Sequence, residues 1–242
     1  MSETAFRRLT DTIARVELVY RAFDLFPMPV AVWLVYTAAG FILIDTGPPE
    51  TAQELIAAVE EATDGQGVQA VILTHAHYDH AGGLQELRLA WNPAVICHVD
   101  EAPFLRGEQT YARLRSLHPA FLLGRYMLDS LDWTFNPTHT VSEGQAVFDM
   151  VVVPLPGHTP GHMGLLHRKE RALICGDAIM QLFKRWGPPP ALVTHKPALA
   201  KRTLRRMHKL PFDHLLPSHG PPIMNEGPKM LAKLIGVQDS SR

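Results

Sequence analysis

Cysteine is scarce in this chain, with only Cys97 and Cys175 among 242 residues. Two thiols cannot build a disulfide framework. Each lies in an apolar run, Ala94-Val95-Ile96-Cys97 and Ala172-Leu173-Ile174-Cys175, where a free thiol packs as a small hydrophobe. The expectation is a buried, inert pair in a reducing, cytoplasmic setting. Long hydrophobic runs are missing too. The longest, Val30 to Ile44, is broken at Thr37 and Gly40 and falls short of the roughly 20 apolar residues of a spanning helix. The opening Met1-Ser2-Glu3-Thr4-Ala5-Phe6-Arg7-Arg8 lacks the apolar stretch of a secretory leader, and no membrane association is expected. Nor does charge of one sign prevail. Lys+Arg 23 against Asp+Glu 24 gives a net charge of −1, which supplies no overall drive towards nucleic acid. No repeat, low-complexity tract or Ser/Gly-rich linker divides the chain, and no Ser-His-Asp or Cys-His nucleophile is evident.

A composition of 46% hydrophobic and 19% charged residues suits a folded protein of one large domain, 1–242. The first third reads as strands at Ala14–Tyr20, Val30–Tyr36 and Phe41–Asp45, with a turn at Thr37-Ala38-Ala39-Gly40. Pro48-Pro49-Glu50 opens a helix over about 51–62. Ala70–Leu73 and Ala94–His98 read as short buried strands. From about 100 to 133 the pattern becomes a helical insertion rich in aromatics. Val147–Pro154, Met163–His167 and Ala172–Cys175 follow as strands. Pro197–Leu210 reads as a helix with Ala200, Leu204 and Met207 inward, and Lys201, Arg202, Arg205, Arg206 and Lys209 on a solvated face.

The chemistry is concentrated where the strand Ala70–Leu73 ends, in Thr74-His75-Ala76-His77-Tyr78-Asp79-His80-Ala81-Gly82-Gly83. Alternate histidines on an extended segment project the same way, and the Asp-His that follows can turn towards a second ion. A match to H-x-H-x-D-H arises by chance in a chain of this length on the order of once in a thousand times. Three later residues extend the set, each where a buried strand meets a loop: His158 in Gly157-His158-Thr159-Pro160-Gly161-His162, Asp177 in Cys175-Gly176-Asp177, and His219 in Ser218-His219-Gly220.

From Leu43-Ile44-Asp45-Thr46-Gly47 to His219-Gly220 the sequence resembles the metallo-β-lactamase superfamily, and within it the glyoxalase II and lactonase-like hydrolases more than the β-lactamases. The resemblance implies an α/β fold, the αββα four-layer sandwich of two mixed sheets with helices outside. It also implies that His75, His77 and His158 hold one metal ion and Asp79, His80 and His219 a second, with Asp177 bridging them. Asp45 would orient a ligand without touching metal. Imidazole-rich sites with a few carboxylates favour two Zn²⁺, with Fe or Mn as alternatives. The other histidines are expected to be structural, His162 included, at its turn.

The implied activity is that of a dinuclear metal-dependent hydrolase, in which a metal-bridging hydroxide attacks an ester, thioester or lactone carbonyl and Asp79 is the catalytic proton carrier. A phosphodiesterase or nuclease of the same superfamily and a mononuclear iron persulfide dioxygenase are the competing readings. Only a short stretch follows His219, which argues against the glutathione-holding extension of glyoxalase II. Met180 stands where lactonases commonly carry Tyr. The expected partner is a small-molecule substrate with an apolar acyl part, facing a wall drawn from Phe26, Met28, the 104–133 aromatics, Met180, Phe183 and Trp186. A homodimer is compatible with the same apolar residues.

Overall fold

Alternation of apolar residues along the first strands sets which face each side chain takes. In the computed structural model, which describes residues 4–22, 26–111 and 134–237, the chain divides into two compact units, Met1–Thr140 and Val141–Arg242.

The first unit is built on a seven-stranded sheet in sequence order, β1 (Arg7–Arg8), β2 (Ile13–Ala22), β3 (Phe26–Thr37), β4 (Gly40–Ile44), β5 (Ala70–Ile72), β6 (Ala94–His98) and β7 (His139–Val141). Strands β1 to β4 pair antiparallel and β4 to β6 parallel, so the sheet is mixed. The turn expected at Thr37-Ala38-Ala39-Gly40 joins β3 to β4, with Gly40 at a φ of 113°. Helices α1 (Ala52–Ala62), α2 (Tyr78–Ala81), α3 (Leu84–Trp91) and α4 (Ala102–Leu105) complete the unit. One core joins Ala14, Val16, Leu18 and Tyr20 of β2 to Val30, Val32 and Leu34 of β3, Leu55 and Val59 of α1, and Leu84 and Leu87 of α3. The intervening Trp33, Val35, Ile42, Ile44 and Ile72 are equally buried. Burial on both faces explains why these strands read as unbroken apolar runs.

The second unit holds a five-stranded mixed sheet. Its strands are β8 (Ala146–Val147), β9 (Met150–Pro154), β10 (Met163–His167), β11 (Ala172–Gly176) and, after the small hairpin β12 (Met180–Leu182) and β13 (Arg185–Gly187), β14 (His214–Pro217). β8 to β11 run antiparallel in turn, while β14 lies parallel to β11. Helices α5 (Pro197–Met207) and α6 (Gly227–Ile235) pack on it through Leu204, Met207 and Leu231. The cationic residues of α5 are exposed, as expected.

One expected element is corrected. The strand Val147–Pro154 is a hairpin, in which Val147 faces Met150 across Phe148 and Asp149. Phe148 takes a left-handed φ of 52° with no glycine to announce the turn. Within the helical insertion expected over about 100–133, Ala102–Leu105 is helical, and Gly107 just beyond it enters the left-handed region at φ 69°. Residues 112–133 of that insertion, including Phe121 and Tyr126, lie outside the described residues. Helices α3 and α6 were not anticipated. No helix among the described residues is long and apolar enough to cross a membrane.

Candidate metal centre

In the first unit, β5 delivers the chain into an extended Thr74-His75-Ala76-His77 segment, and His77 (φ −69°, ψ 157°) caps α2, which carries Asp79 and His80. The four residues expected to act as donors are thereby gathered. His75 Nε2 lies 3.0 Å from His77 Nδ1, the His75 and His80 ring centres are 4.0 Å apart, and Asp79 Oδ1 is 3.7 Å from His80 Nε2. All three imidazoles are buried.

Asp45 organises this loop. It follows β4 in a left-handed conformation, φ 62°, and its buried carboxylate accepts hydrogen bonds from the Thr74 backbone N–H (2.7 Å) and the Thr74 hydroxyl (2.8 Å). His80 Nδ1 lies 2.8 Å from Asp45 Oδ2, so a proton on Nδ1 leaves the Nε2 lone pair facing Asp79. Thr74 passes the same constraint to His75, whose Nδ1 is 3.0 Å from its Oγ1. The Thr46 backbone N–H donates to the His80 carbonyl (2.7 Å), and the Gly83 N–H donates to Thr46 Oγ1 (3.0 Å). Gly47 must be glycine, because at its φ of 68° a Cβ would lie 2.6 Å from Leu18 Cδ1.

Sequence reasoning missed two supports. Glu101, fully buried after β6, accepts the Ala76 N–H between the two histidines at 2.8 Å, and it also accepts the Tyr111 hydroxyl. Burial first, and the Glu101 charge second, push the Tyr111 phenol well above its ordinary pKa, so it stays protonated and donates. The Tyr111 ring meets His77 edge-on at 4.7 Å and stacks on Phe104 at 4.2 Å. The second support is Tyr20, whose hydroxyl donates to Asp79 Oδ2 at 2.9 Å. Nothing local in sequence marks Glu101, but the inward period of β2 marks Tyr20.

In the second unit His158, Asp177 and His219 come together from three strand ends. One oxygen of Asp177, Oδ2, is 3.5 Å from His158 Nε2 and 3.5 Å from His219 Nε2. A register shift between Ile174 and Gly176 in the β11/β14 pairing brings the two strand ends level. The His158 loop is clamped to α5, since the His195 N–H donates to the His158 carbonyl and the Lys196 N–H to the Gly157 carbonyl, both at 2.8 Å. Gly157, at φ 134°, would place a Cβ 2.3 Å from the Ala200 nitrogen. The Gln181 N–H donates to the His219 carbonyl at 2.8 Å.

His162, expected to act at its turn, also reaches a candidate ligand. Its Nδ1 lies 3.1 Å from the Leu155 carbonyl, and its Nε2 accepts the Asp177 backbone N–H at 3.0 Å. Of the expected wall residues, Phe183 is 98% exposed and Phe26 63% exposed among the described residues. Trp186 instead presses on Gly220, where a Cβ would lie 2.9 Å from its ring. Both cysteines are buried, as expected.

Each set fits a metal ion by donor chemistry. Two nitrogens about 2.0–2.1 Å from a tetrahedral Zn²⁺ lie roughly 3.3 Å apart, close to the 3.0 Å between His75 Nε2 and His77 Nδ1. The 3.5 Å spacings around Asp177 Oδ2 fit the same edge and leave that oxygen common to two imidazole positions.

The family model described as the metallo-beta-lactamase superfamily matches residues 25–219. The probable metallo-hydrolase YflN of Bacillus subtilis (strain 168) is 28% identical over 201 residues, 76% of each chain. A hydroxyacylglutathione hydrolase of Rhodospirillum rubrum is 28% identical over 131 residues, 54% of this chain and 41% of that protein. The crystal structure of TTHA1623 in a di-iron-bound form is 27% identical, with a TM-score of 0.63 over 86% of this chain and 94% of that one. The chain belongs to the metallo-beta-lactamase superfamily, with its α/β fold, and is a metal-dependent hydrolase.

Proposed function

We propose that the chain hydrolyses an ester, thioester or lactone carbonyl of a small molecule, using two metal ions held jointly by its two donor sets. His75, His77 and His158 would hold one ion, Asp79, His80 and His219 the other, and Asp177 would be shared. The observation that carries this reading is the single Asp177 oxygen at 3.5 Å from both His158 and His219, the disposition a bridging carboxylate requires. Zinc suits the imidazole-rich donors best. Iron is the second choice, because the TTHA1623 structure is of a di-iron form.

When bound, such a pair supplies a water nucleophile activated at neutral pH and polarises the substrate carbonyl. The residues of the chain do the rest. Asp79, within reach of His80, takes the proton from the attacking water and returns it to the leaving oxygen or sulfur. Asp45 and Thr74 hold His80 and His75 in the tautomers that present Nε2. Glu101 fixes the backbone between His75 and His77, so their spacing survives thermal motion. An apolar acyl part on the substrate would answer the aromatic residues of the 104–133 stretch. A net charge of −1 argues for a small molecule over nucleic acid, and two buried thiols suit a reducing, cytoplasmic compartment.

The test is a turnover panel of aryl esters, lactones, thioesters including a hydroxyacylglutathione, and phosphodiesters. It is run on metal-stripped protein and on protein reloaded with zinc or iron. Carbonyl substrates turned over only after reloading are expected. Turnover confined to phosphodiesters, or oxygen uptake with a persulfide at one iron per chain, would overturn the reading.

A further inference from the structure

The inward series of β2 runs Ala14, Val16, Leu18, Tyr20, and its last member alone carries a polar atom. Tyr20 is 6% exposed, yet its hydroxyl donates to Asp79 Oδ2 at 2.9 Å. The other oxygen of the same carboxylate, Oδ1, is the one 3.7 Å from His80 Nε2. One oxygen of Asp79 thus accepts from a phenol while the other lies on the side of His80. His75 and His80 are braced from Thr74 and Asp45, while Asp79, whose side chain is 15% exposed on the first turn of a four-residue helix, is braced from a strand 59 residues earlier.

We propose that Tyr20 is the positioning residue for Asp79, holding Oδ2 so that only Oδ1 is offered to the second ion. A carboxylate swings about two side-chain torsions, and each alternative rotamer or two-oxygen grip withdraws the group from its task. The phenol removes those alternatives without taking a coordination position, and its rigid ring loses little rotamer freedom in doing so. This inference rests on the reading of Asp79 as a ligand of the second ion.

The experiment titrates cobalt(II) into the metal-stripped full chain, comparing wild type, Tyr20→Phe, Asp79→Asn and, as a control on the same strand, Val19→Ala. Tyr20→Phe should bind the first equivalent as wild type and the second ten- to a hundredfold more weakly. Its visible absorption should change only at the second equivalent, and kcat should fall with KM within about twofold. Wild-type affinity and spectrum for both equivalents in Tyr20→Phe, with the second equivalent lost in Asp79→Asn, would overturn this proposal alone. Two intact equivalents in Asp79→Asn would instead overturn the ligand role on which it rests. Should Tyr20→Phe fail to fold, wild-type protein labelled at tyrosine Cζ decides. One of its five tyrosine signals must move with the second equivalent and not the first, and five static signals contradict the proposal.

Discussion

The backbone N–H of Asp177 donates to Nε2 of His162 at 3.0 Å, and the far nitrogen of that ring lies 3.1 Å from the Leu155 carbonyl. The imidazole is therefore neutral, with its proton on Nδ1, and it ties the start of one ligand loop to the end of β9. His162→Phe should leave a buried N–H without its acceptor. The expected loss is about 1–3 kcal/mol in the unfolding free energy of the metal-free protein, read by denaturant melting, and a further drop in metal affinity. A variant with wild-type stability and metal content would show that the bond is incidental.

Asp45→Asn should weaken metal binding by ten- to a hundredfold, because the amide can no longer serve both Thr74 and His80 as an acceptor. Competitive chelation followed by metal analysis reads the effect. The chain has two histidines braced from this one carboxylate, directly and through Thr74, so the loss should be felt in both ions of the pair.

Asp79→Asn should lower kcat about 10²–10⁴-fold with a much smaller change in KM, as befits a group that acts in the transition state. Steady-state kinetics on whichever carbonyl ester is turned over is the measurement. A variant within a few-fold of wild type would remove Asp79 from the proton path.

Burial, and to a lesser degree the Glu101 charge, raise the Cys97 thiol to about 12. Burial raises that of Cys175 as well. A disulfide-exchange reagent at pH 8 should find no reactive thiol in the native chain and two after denaturation. Because the folded-state pKa values are raised, the stability these thiols contribute is complete below about pH 9 and is lost as pH rises towards 12. The melting temperature should fall over that range and fall less in Cys97→Ala than in wild type.

What the sequence disclosed was mostly local. His75, His77, Asp79 and His80 lie within six residues at a strand end, so spacing alone drew attention to them, whereas Asp45 stood out only through the family resemblance of Asp45-Thr46-Gly47. Asp177 and His219 each end a short buried strand. The supports were harder to read because they come from pairing register. Tyr20 reaches Asp79 only once β2 has taken its place beside β3 with Tyr20 opposite Met28, and Glu101 reaches Ala76 only once β6 lies beside β5. The Phe148 turn was misjudged for a related reason. Apolar residues run on through Ala146, Val147, Phe148, Met150 and Val151, and only the positive φ at Phe148 breaks the strand.

Elemental analysis of protein purified without chelator, paired with activity before and after metal stripping, tests the central claim most directly. The account predicts close to two transition-metal ions per chain, mainly zinc. It further predicts about one in His158→Ala or His219→Ala, and loss of carbonyl hydrolysis that returns on reloading. A chain that holds no metal and hydrolyses as fast as before stripping, or one whose metal content is untouched by both substitutions, would contradict it.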